Sequence, residues 1–557
     1  MSEALQRSNH RSEARALLAE AMAYDPALAA RYRSEGLWRD ELLTDWLDRT
    51  VAATPEATAI VGTGESLTFA ELAALSDRLA AGFRRLGIGM GDVVGVQLRN
   101  GPWWVAIHLA LVRIGAVMTG IHLTFREAEC ERALGFGEAV AIVCERAMGD
   151  FAIAETMLAL KRRLPALEHV VVAGGGPDGT IALESLRDEP GPVAERADAS
   201  GPFIMLYTSG STSRPKAVPL SHNNLLTNAR GSAGVFGITA EDRIMAAGPF
   251  AHLYSLHAPH FSLLTGAAQV ILPTYDKAAF VDLVETARPT VIFAVPAHVL
   301  PCLAEGLMDG RDWSSVRLLS IAGAAVSGEL VRALDARLPN GRVVQLWGMT
   351  EMQAGLYTRP DDPVDFPAET CGRPSPGTEI RIASGDGEAL PQGAEGELQV
   401  RGASVFPGYF RDPESNAEAF TRDRWFRTGD LAAIDAHGNV VLKGRIKDTV
   451  NRGGVKYSTR EVEELLLDHP EIDQAAIVPA PHARLGEIGC AFAVARNDGA
   501  VTLDGLCAWL LERGIAKYKL PERLELVADM PLGPSRKIDK EALKAMAART
   551  PANEAAQ

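Results

Sequence analysis

One segment rich in Ser, Thr and Gly has a composition that suits phosphate binding. It spans Tyr207–Lys216 and follows an apolar run, Phe203–Tyr207, that predicts a buried strand. Small hydroxyl residues and glycine let backbone N–H groups and hydroxyls converge on phosphate oxygens, and the closing lysine adds positive charge. The spacing is not the GxxxxGK[ST] of a P-loop. Taken alone, the segment fits a flexible surface loop as well as a phosphate site.

Two further segments carry groups that suit a nucleotide. The run Gln345–Glu351 ends a predicted strand with an aromatic residue, a hydroxyl and a carboxylate. Trp347 can stack on a base, Thr350 can hydrogen-bond a phosphate, and Glu351 can coordinate Mg²⁺ through oxygen. Asp430, at a predicted turn, suits the two hydroxyls of a ribose. Together these groups indicate a site for a magnesium nucleotide.

Two cations occur late in the chain on segments rich in turn residues. Arg445 belongs to Gly444–Asp448, which supplies a positive charge and a possible hinge, and Lys537 lies on a Gly/Pro-containing loop. An anionic ligand would need such a local positive site, because the net negative charge of the chain repels it. Each of these fragments is a weak signal by itself.

The elements that must position these groups change character along the chain. From Leu67, predicted strands such as Asp92–Leu98 alternate with helices such as Leu72–Leu86. This alternation predicts α/β architecture, with parallel sheets covered by helices on both faces. Residues 379–441 carry shorter alternating strands with Gly, Pro and Asp turns, which predicts a β-rich subdomain.

A compact α+β pattern follows Arg445, beginning with a helix at Ser458–His469. We therefore predict a large N-terminal domain at residues 1–446, a small C-terminal domain at 447–547 and a disordered tail at 548–557.

Composition restricts the class of protein. The 557 residues carry a net charge of −15, which argues against a nucleic-acid partner and against a basic membrane-surface protein. No run approaches the roughly 20 apolar residues that span a bilayer, and the N-terminus lacks the apolar core of a signal peptide. The six cysteines show no metal-ligand spacing, so we expect free thiols in a cytoplasmic protein.

In this order and spacing, the fragments resemble the adenylate-forming superfamily of acyl- and aryl-CoA synthetases, adenylation domains and luciferases. The resemblance runs from Leu67 to Lys540, and its most similar branch is that of the aryl-acid AMP ligases and the aryl- or alicyclic-acid CoA ligases. Further segments that match family signatures are Leu111–Ala116, Gly396–Gly402 and Phe406–Phe410. The segments that resemble the aryl-acid branch in particular are Arg31–Trp38, Gln345–Glu351 and Val450–Lys456.

The resemblance implies a role for each group, with ATP, Mg²⁺ and coenzyme A as cofactors or co-substrates. Lys537 would bridge the substrate carboxylate and the α-phosphate, and Glu351 would bind Mg²⁺ with Thr350 beside it. The remaining nucleotide-binding residues would be Thr208, Ser209, Gly210, Ser211, Thr212, Lys216, Gly323, Ala324, Ala325, Trp347, Gly348, Met349, Asp430 and Arg445. Ser213 and Ala217 stand where many relatives have glycine, and Ser213 stiffens the loop without removing a charge.

The resemblance also locates an acid pocket at His252, Leu253, Gly323, Ala324 and Met349. His252 would lie beside the acyl group, although a packing or gating role fits it equally well. Siderophore enzymes of this branch carry an Asn where this chain has Leu253, and leucine cannot bond an ortho hydroxyl. We therefore expect a benzoate, a naphthoate, an alicyclic acid or another bulky apolar acid.

The expected reaction activates a small carboxylic acid as acyl-AMP, releases pyrophosphate and forms a thioester with coenzyme A. Rotation about a hinge at Lys447 would withdraw Lys537 and bring Gly453 and Gly454 to a thiol tunnel, where a side chain would block the pantetheine arm. A plain tight turn is the alternative for the two glycines. The alternatives for the protein are a ligase that loads a carrier protein and a non-catalytic nucleotide- or acyl-CoA-binding relative. Monomer and dimer both stay open.

Other patterns favour structural roles. Gly174–Gly179 satisfies GxGxxG, but Pro177 makes a poor helix start, so we expect a surface loop. His252, His257 and His260 lack Cys, Asp or Glu at ligand spacing, so we expect pocket lining or packing instead of a metal site.

Overall fold

The computed structural model describes residues 3–62, 64, 66–187, 196–208, 216–323, 326–452, 455–482, 484–496, 501–533 and 537–549. Within these residues the chain forms four β-sheets with helices packed on them, and the last sheet belongs to a separate C-terminal domain. The predicted mixed α/β class is confirmed.

The first part of the chain builds one largely parallel sheet. This sheet consists of seven strands: β3 (Val93–Gln97), β4 (Val117–Gly120), β5 (Ala141–Cys144), β6 (His169–Val172), β7 (Ile181–Ala182), β8 (Pro202–Thr208) and β9 (Lys216–Ser221). Two earlier strands, β1 (Thr58–Val61) and β2 (Ser66–Thr68), belong to a different sheet. The helices are α1 (Glu3–Ala21), α2 (Pro26–Ser34), α3 (Leu43–Ala53), α4 (Phe69–Arg85), α5 (Pro102–Arg113), α6 (Glu127–Phe136), α7 (Ile153–Lys161) and α8 (His222–Val235). The strand order is β7-β6-β5-β3-β4-β8-β9, and only the β8–β9 pair is antiparallel.

The second part builds a larger sheet that β1 and β2 also join. Its strands are β10 (Arg243–Ala246), β11 (Ala268–Val270), β12 (Val291–Ala294), β13 (Leu318–Ala322), β14 (Arg342–Met349), β15 (Gln353–Tyr357) and β16 (Arg373–Pro374). The helices are α9 (His257–Thr265), α10 (Lys277–Ala287), α11 (Pro296–Ala304), α12 (Gly328–Asp335) and α13 (Phe366–Glu369). The order is β16-β15-β14-β13-β12-β10-β11-β1-β2, with β10 to β14 parallel.

The β-rich region predicted after residue 379 is an antiparallel sheet, β17-β18-β19-β20. It comprises β17 (Thr378–Ala383), β18 (Gly396–Gly402), β19 (Phe426–Ile434) and β20 (Val440–Arg445), with α14 (Pro413–Ala419). Buried and half-buried positions alternate along β19, as expected for a strand with one face on the core.

The C-terminal domain follows a 3₁₀ turn, Ile446–Asp448. It contains β21 (Thr449–Arg452), β22 (Val455–Ser458), α15 (Arg460–Leu467), β23 (Ile472–His482), β24 (Gly486–Ala495), α16 (Leu503–Glu512), β25 (Arg523–Leu526) and α17 (Lys540–Arg549). Helix α17 extends two residues into the segment predicted as a tail, and residues 550–557 lie outside the described residues.

Local sequence explains where the helices begin and how deeply they pack. Thr68 caps α4 by accepting from the Glu71 N–H, and Glu71 reaches back to the Thr68 N–H at 2.8 Å, so the helix begins three residues before the prediction. Helix α5 is apolar nearly all round, and its Trp104 is fully buried in a core that both large sheets share.

The cysteines and the Gly174–Gly179 segment are arranged as the sequence predicts. All six cysteines are free, and Gly174–Gly179 forms a loop between β6 and β7. Across the described residues, no cluster of three or more His, Cys, Asp or Glu could hold a metal, and no helix has the length and apolar character needed to cross a bilayer.

Several histidines pack in the core of the N-terminal domain. The Nε2 atoms of His108 and His260 lie 3.3 Å apart, and His222 stacks on Phe203 at 3.8 Å between ring centroids. Burial lowers the pKa of His108 and of His222 to about 3 and lowers the pKa of His260 well below 6.5. These side chains are therefore neutral in the folded protein at neutral pH.

We predict that stability falls as pH drops from 7 to 5. In this window the unfolded histidines, with a pKa near 6.5, take up protons that the folded His108 cannot bind, so each such residue lowers the free energy of unfolding by about 2 kcal/mol at pH 5. His108→Gln keeps a donor toward His260 and has no titrating group. It should therefore remove the part of the pH-dependent loss of stability that is due to one histidine. Urea denaturation at both pH values measures this, and an unchanged pH dependence in the variant would contradict it.

Candidate functional site

The predicted phosphate loop connects two paired strands. Thr208 ends β8 and Lys216 begins β9, and the two residues are register partners. Ser209, Gly210, Ser211, Thr212 and Ser213 lie outside the described residues. The antiparallel pairing thus brings Thr208 and Lys216, the residues on either side of the predicted phosphate loop, next to each other.

Glu351 and Lys216 both contact one tyrosine. The Tyr409 hydroxyl donates to Glu351 Oε1 at 2.9 Å, and Lys216 Nζ lies 4.7 Å from the centre of the Tyr409 ring. Glu351 is buried, and burial raises the pKa of its carboxyl even though Tyr409, Arg445 and Lys216 oppose the shift. A carboxylate and a cation are thereby held within one small region.

A tight hairpin presents Thr350 and Glu351. Strands β14 and β15 pair antiparallel, with Gly348 opposite Ala354 and Met349 opposite Gln353. A Cβ on Gly348 would lie 1.8 Å from the Gln353 carbonyl oxygen, so only glycine fits there. Thr350 and Met349 are half-buried beside the turn.

Asp430 and Arg445 form an ion pair across neighbouring strands β19 and β20. Arg445 Nε lies 2.6 Å from Asp430 Oδ1, and Trp347 Nε1 donates to Asp430 Oδ2 at 3.0 Å. Burial raises the pKa of Asp430, against the opposing effect of Arg445. Each carboxylate oxygen can accept more than one hydrogen bond, so the predicted contact with a ribose stays chemically open. The Trp347 ring is largely buried in the core, and its stacking on adenine stays a prediction.

Lys537 reaches the N-terminal domain from the C-terminal one. A Cβ added to Gly323, whose φ is +85°, would lie 3.3 Å from Lys537 Cε and 3.8 Å from its Nζ. Lys537 is exposed to solvent. Protein atoms around its ammonium replace part of its water and lower its pKa, and Arg445 lowers the pKa further. Asp430 acts in the opposite direction and raises the pKa. Ala324 and Ala325 lie outside the described residues.

The proposed acid pocket follows β10. His252 is half-buried, its Nδ1 accepts from the Tyr254 N–H at 3.3 Å, and burial lowers its pKa to about 3 with smaller contributions from His122 and Lys537. Leu253 is 5% exposed and belongs to the apolar core. His252 is thus a neutral group at neutral pH, and its neighbour in the chain, Leu253, is part of the apolar core.

The hinge candidate Lys447 lies exposed in the 3₁₀ turn between β20 and β21. Its Nζ lies 3.5 Å from Glu541 in α17, and its carbonyl accepts from Lys544 Nζ at 3.4 Å. Gly453 and Gly454, between β21 and β22 in sequence, lie outside the described residues.

Two residues near the site were not singled out from the sequence. Tyr409 lies in the Phe406–Phe410 signature, which marked the segment without giving it a role. His122 follows β4, and its ring centre lies 6.3 Å from that of His252. Its position just past the carboxyl end of a parallel strand was a usable signal, because ligands bind at such ends in α/β folds.

The residues present fit a magnesium ion that arrives with a nucleotide. Mg²⁺ prefers oxygen ligands and is held by one or two carboxylates plus substrate phosphates. Glu351 supplies a buried carboxylate, and Thr350 adds a neighbouring hydroxyl.

Comparison with known proteins identifies the family of this chain. The sequence profile of AMP-binding enzymes matches residues 47–410, and the profile of the AMP-binding enzyme C-terminal domain matches residues 461–537. The chain belongs to the AMP-binding enzyme family. It is an adenylate-forming ligase, and its relatives include aryl-acid AMP ligases.

Two relatives of this AMP-binding enzyme differ in the acceptor that their names give. A salicylyl-CoA synthase / salicylate adenylyltransferase of a Streptomyces species is 34% identical over 532 residues, 93% of this chain and 95% of the relative. A salicyl-AMP ligase / salicyl-S-ArCP synthetase of Mycobacterium tuberculosis is 34% identical over 535 residues, 92% of both chains. The crystal structure of the anthranilate CoA ligase AuaEII with anthranoyl-AMP shares the fold, with a TM-score of 0.84, 23% identity and coverage of 92% and 98%.

We predict that Gly348→Ala disrupts the hairpin that carries Glu351. The new Cβ meets backbone that cannot move aside, so the free energy of unfolding should fall by more than about 2 kcal/mol. The control is Gly234→Ala in α8, where nothing lies within 4 Å and alanine should stabilise the helix by up to about 1 kcal/mol. Urea denaturation compares the two; equal effects would show that the close contact at Gly348 is unimportant.

Proposed function

We propose that this ligase activates a bulky apolar carboxylic acid, aryl or alicyclic, as acyl-AMP and transfers the acyl group to coenzyme A. The observation that carries the proposal is Lys537, which the C-terminal domain places beside Gly323 and within the electrostatic influence of Asp430 and Arg445. Lys537 is exposed to solvent, and its side chain lies against Gly323 at the carboxyl end of β13, where a cation can meet a ligand.

In the first step, a carboxylate oxygen of the acid attacks the α-phosphorus of ATP, and the bond to pyrophosphate breaks. Lys537 would lie between the two anions and offset their repulsion. Lys216 and the phosphate loop would hold the leaving pyrophosphate, while Asp430 and Arg445 would hold the ribose. A magnesium ion at Glu351 would supply further charge neutralisation on the phosphates.

In the second step, the pantetheine sulfur attacks the acyl carbonyl, the mixed anhydride bond breaks, AMP leaves, and the thiol proton passes to solvent. The arm needs the space that Lys537 occupies, so we propose that the C-terminal domain rotates about Lys447, with residues 1–446 as the fixed body and 447–547 as the moving one. Gly453 and Gly454 would then line the path of the thiol.

The proposed acid class depends on Leu253 and His252. Salicylate, the acid in both relatives' names, has an ortho hydroxyl that a buried leucine cannot bond. His252, neutral and half-buried, would bound the pocket on the side of Lys537. A ring without a hydroxyl at that position therefore suits this pocket better.

We predict that acid-dependent ATP–pyrophosphate exchange occurs with aromatic or alicyclic acids and falls at least about a hundredfold in Lys537→Ala, since one preorganised charge contact in a transition state contributes that much. Addition of coenzyme A to the active acids should yield acyl-CoA by mass spectrometry. Exchange without acyl-CoA would favour a carrier-protein acceptor. Unchanged exchange in the variant would remove Lys537 from the mechanism, and no exchange with any acid would favour a binding role.

We also predict that Leu253→Asn shifts preference toward ortho-hydroxy acids. The ratio of kcat/KM for salicylate to that for benzoate should rise about tenfold or more, because the new amide pairs a hydroxyl that leucine leaves unbonded. Leu253 is buried, so both acids are measured on one preparation, and loss of folded protein cancels in the ratio. Leu253→Met is the matched control, and an equal ratio in the three proteins would contradict the proposed contact.

A further inference from the structure

The Phe406–Phe410 segment joins the two charged parts of the site through its backbone. The Phe406 N–H donates to the Glu351 carbonyl at 2.7 Å, and the Phe410 N–H donates to the Ala217 carbonyl at 3.0 Å. Ala217 directly follows Lys216. The segment is therefore hydrogen-bonded beside the carboxylate at one end and beside the lysine at the other.

Tyr409 contacts both charged side chains from the middle of this segment. Its hydroxyl donates to Glu351 Oε1 at 2.9 Å. Its ring faces the Lys216 ammonium at 4.7 Å, within the range of a cation–π contact. One side chain thus contacts an anion through its hydroxyl and a cation through its ring.

The backbone of Tyr409 is held as firmly as its side chain. Asn416 in α14 accepts from the Tyr409 N–H at 2.6 Å and donates to the Tyr409 carbonyl at 2.9 Å. The ring packs against Phe406, 4.8 Å between centroids, and Tyr409 is 7% exposed. A side chain fixed at both ends holds its partners at a set separation.

We propose that Tyr409 is a positioning residue that sets Glu351 and Lys216 at the spacing required by a magnesium nucleotide. The hydroxyl orients the carboxylate, and the ring holds the ammonium until phosphate arrives. This inference rests on the proposed role of Glu351 as the magnesium ligand.

The two contacts of Tyr409 can be removed separately. Tyr409→Phe deletes the hydroxyl and keeps the ring, whereas Tyr409→Leu deletes both. Tyr24→Phe is the control, because the Tyr24 hydroxyl donates to Asn224, away from Glu351, and its loss tests a general effect of removing a tyrosine hydroxyl. Calorimetric titration with a non-hydrolysable ATP analogue, with and without Mg²⁺ and without acid, measures binding independently of turnover.

In Tyr409→Phe the gain in nucleotide affinity that Mg²⁺ gives should shrink about tenfold, while affinity without Mg²⁺ stays the same. Tyr409→Leu should also weaken the metal-free affinity, about threefold, because Lys216 loses the ring. Tyr24→Phe should match the wild type. A wild-type gain that persists in Tyr409→Phe overturns this inference alone, whereas a wild type without any gain overturns the role of Glu351 as well.

Discussion

The electrostatic interaction of Lys537 with Asp430 and Arg445 connects the C-terminal domain to the candidate site. Arg445 repels the ammonium and Asp430 attracts it, so the two act in opposition on the lowered pKa of Lys537. Asp430 is itself fixed by Trp347 and by Arg445. The β17–β20 sheet thereby holds the Asp430 carboxylate in place for the ammonium of Lys537, which belongs to the C-terminal domain.

Other residues of the candidate site follow the carboxyl ends of parallel strands. His252, Gly323 and Thr350 follow β10, β13 and β14, which lie in one sheet with β12 between the first two. Ligands collect at such edges because the loops there converge while the strands stay rigid. A Cβ at Gly323 would press on Lys537, and a Cβ at Gly348 would collide with the Gln353 backbone, so both positions favour glycine.

The sequence predicted the fold class and the position of several elements, and it marked charged residues for the candidate site. Alternating patterns located β3 and α4 to within a few residues, and turn residues marked the β17–β20 region. Periodicity could not reveal that Tyr409 would meet Glu351, because residues 58 positions apart become neighbours only through tertiary packing. It also could not show that Trp347 is held by Asp430, since an indole N–H gives no sequence pattern of its own.

Only Ile446 separates Arg445 from Lys447. If the chain pivots at Lys447, everything before that residue, including the Asp430–Arg445 pair, keeps its place, while Lys537, far along the chain in the other domain, is carried away. The acyl-adenylate would then stay bound through its ribose, at the Asp430–Arg445 pair, while Lys537 moves away. A reactive mixed anhydride could in this way be kept from escaping or hydrolysing during the interval between its formation and its capture.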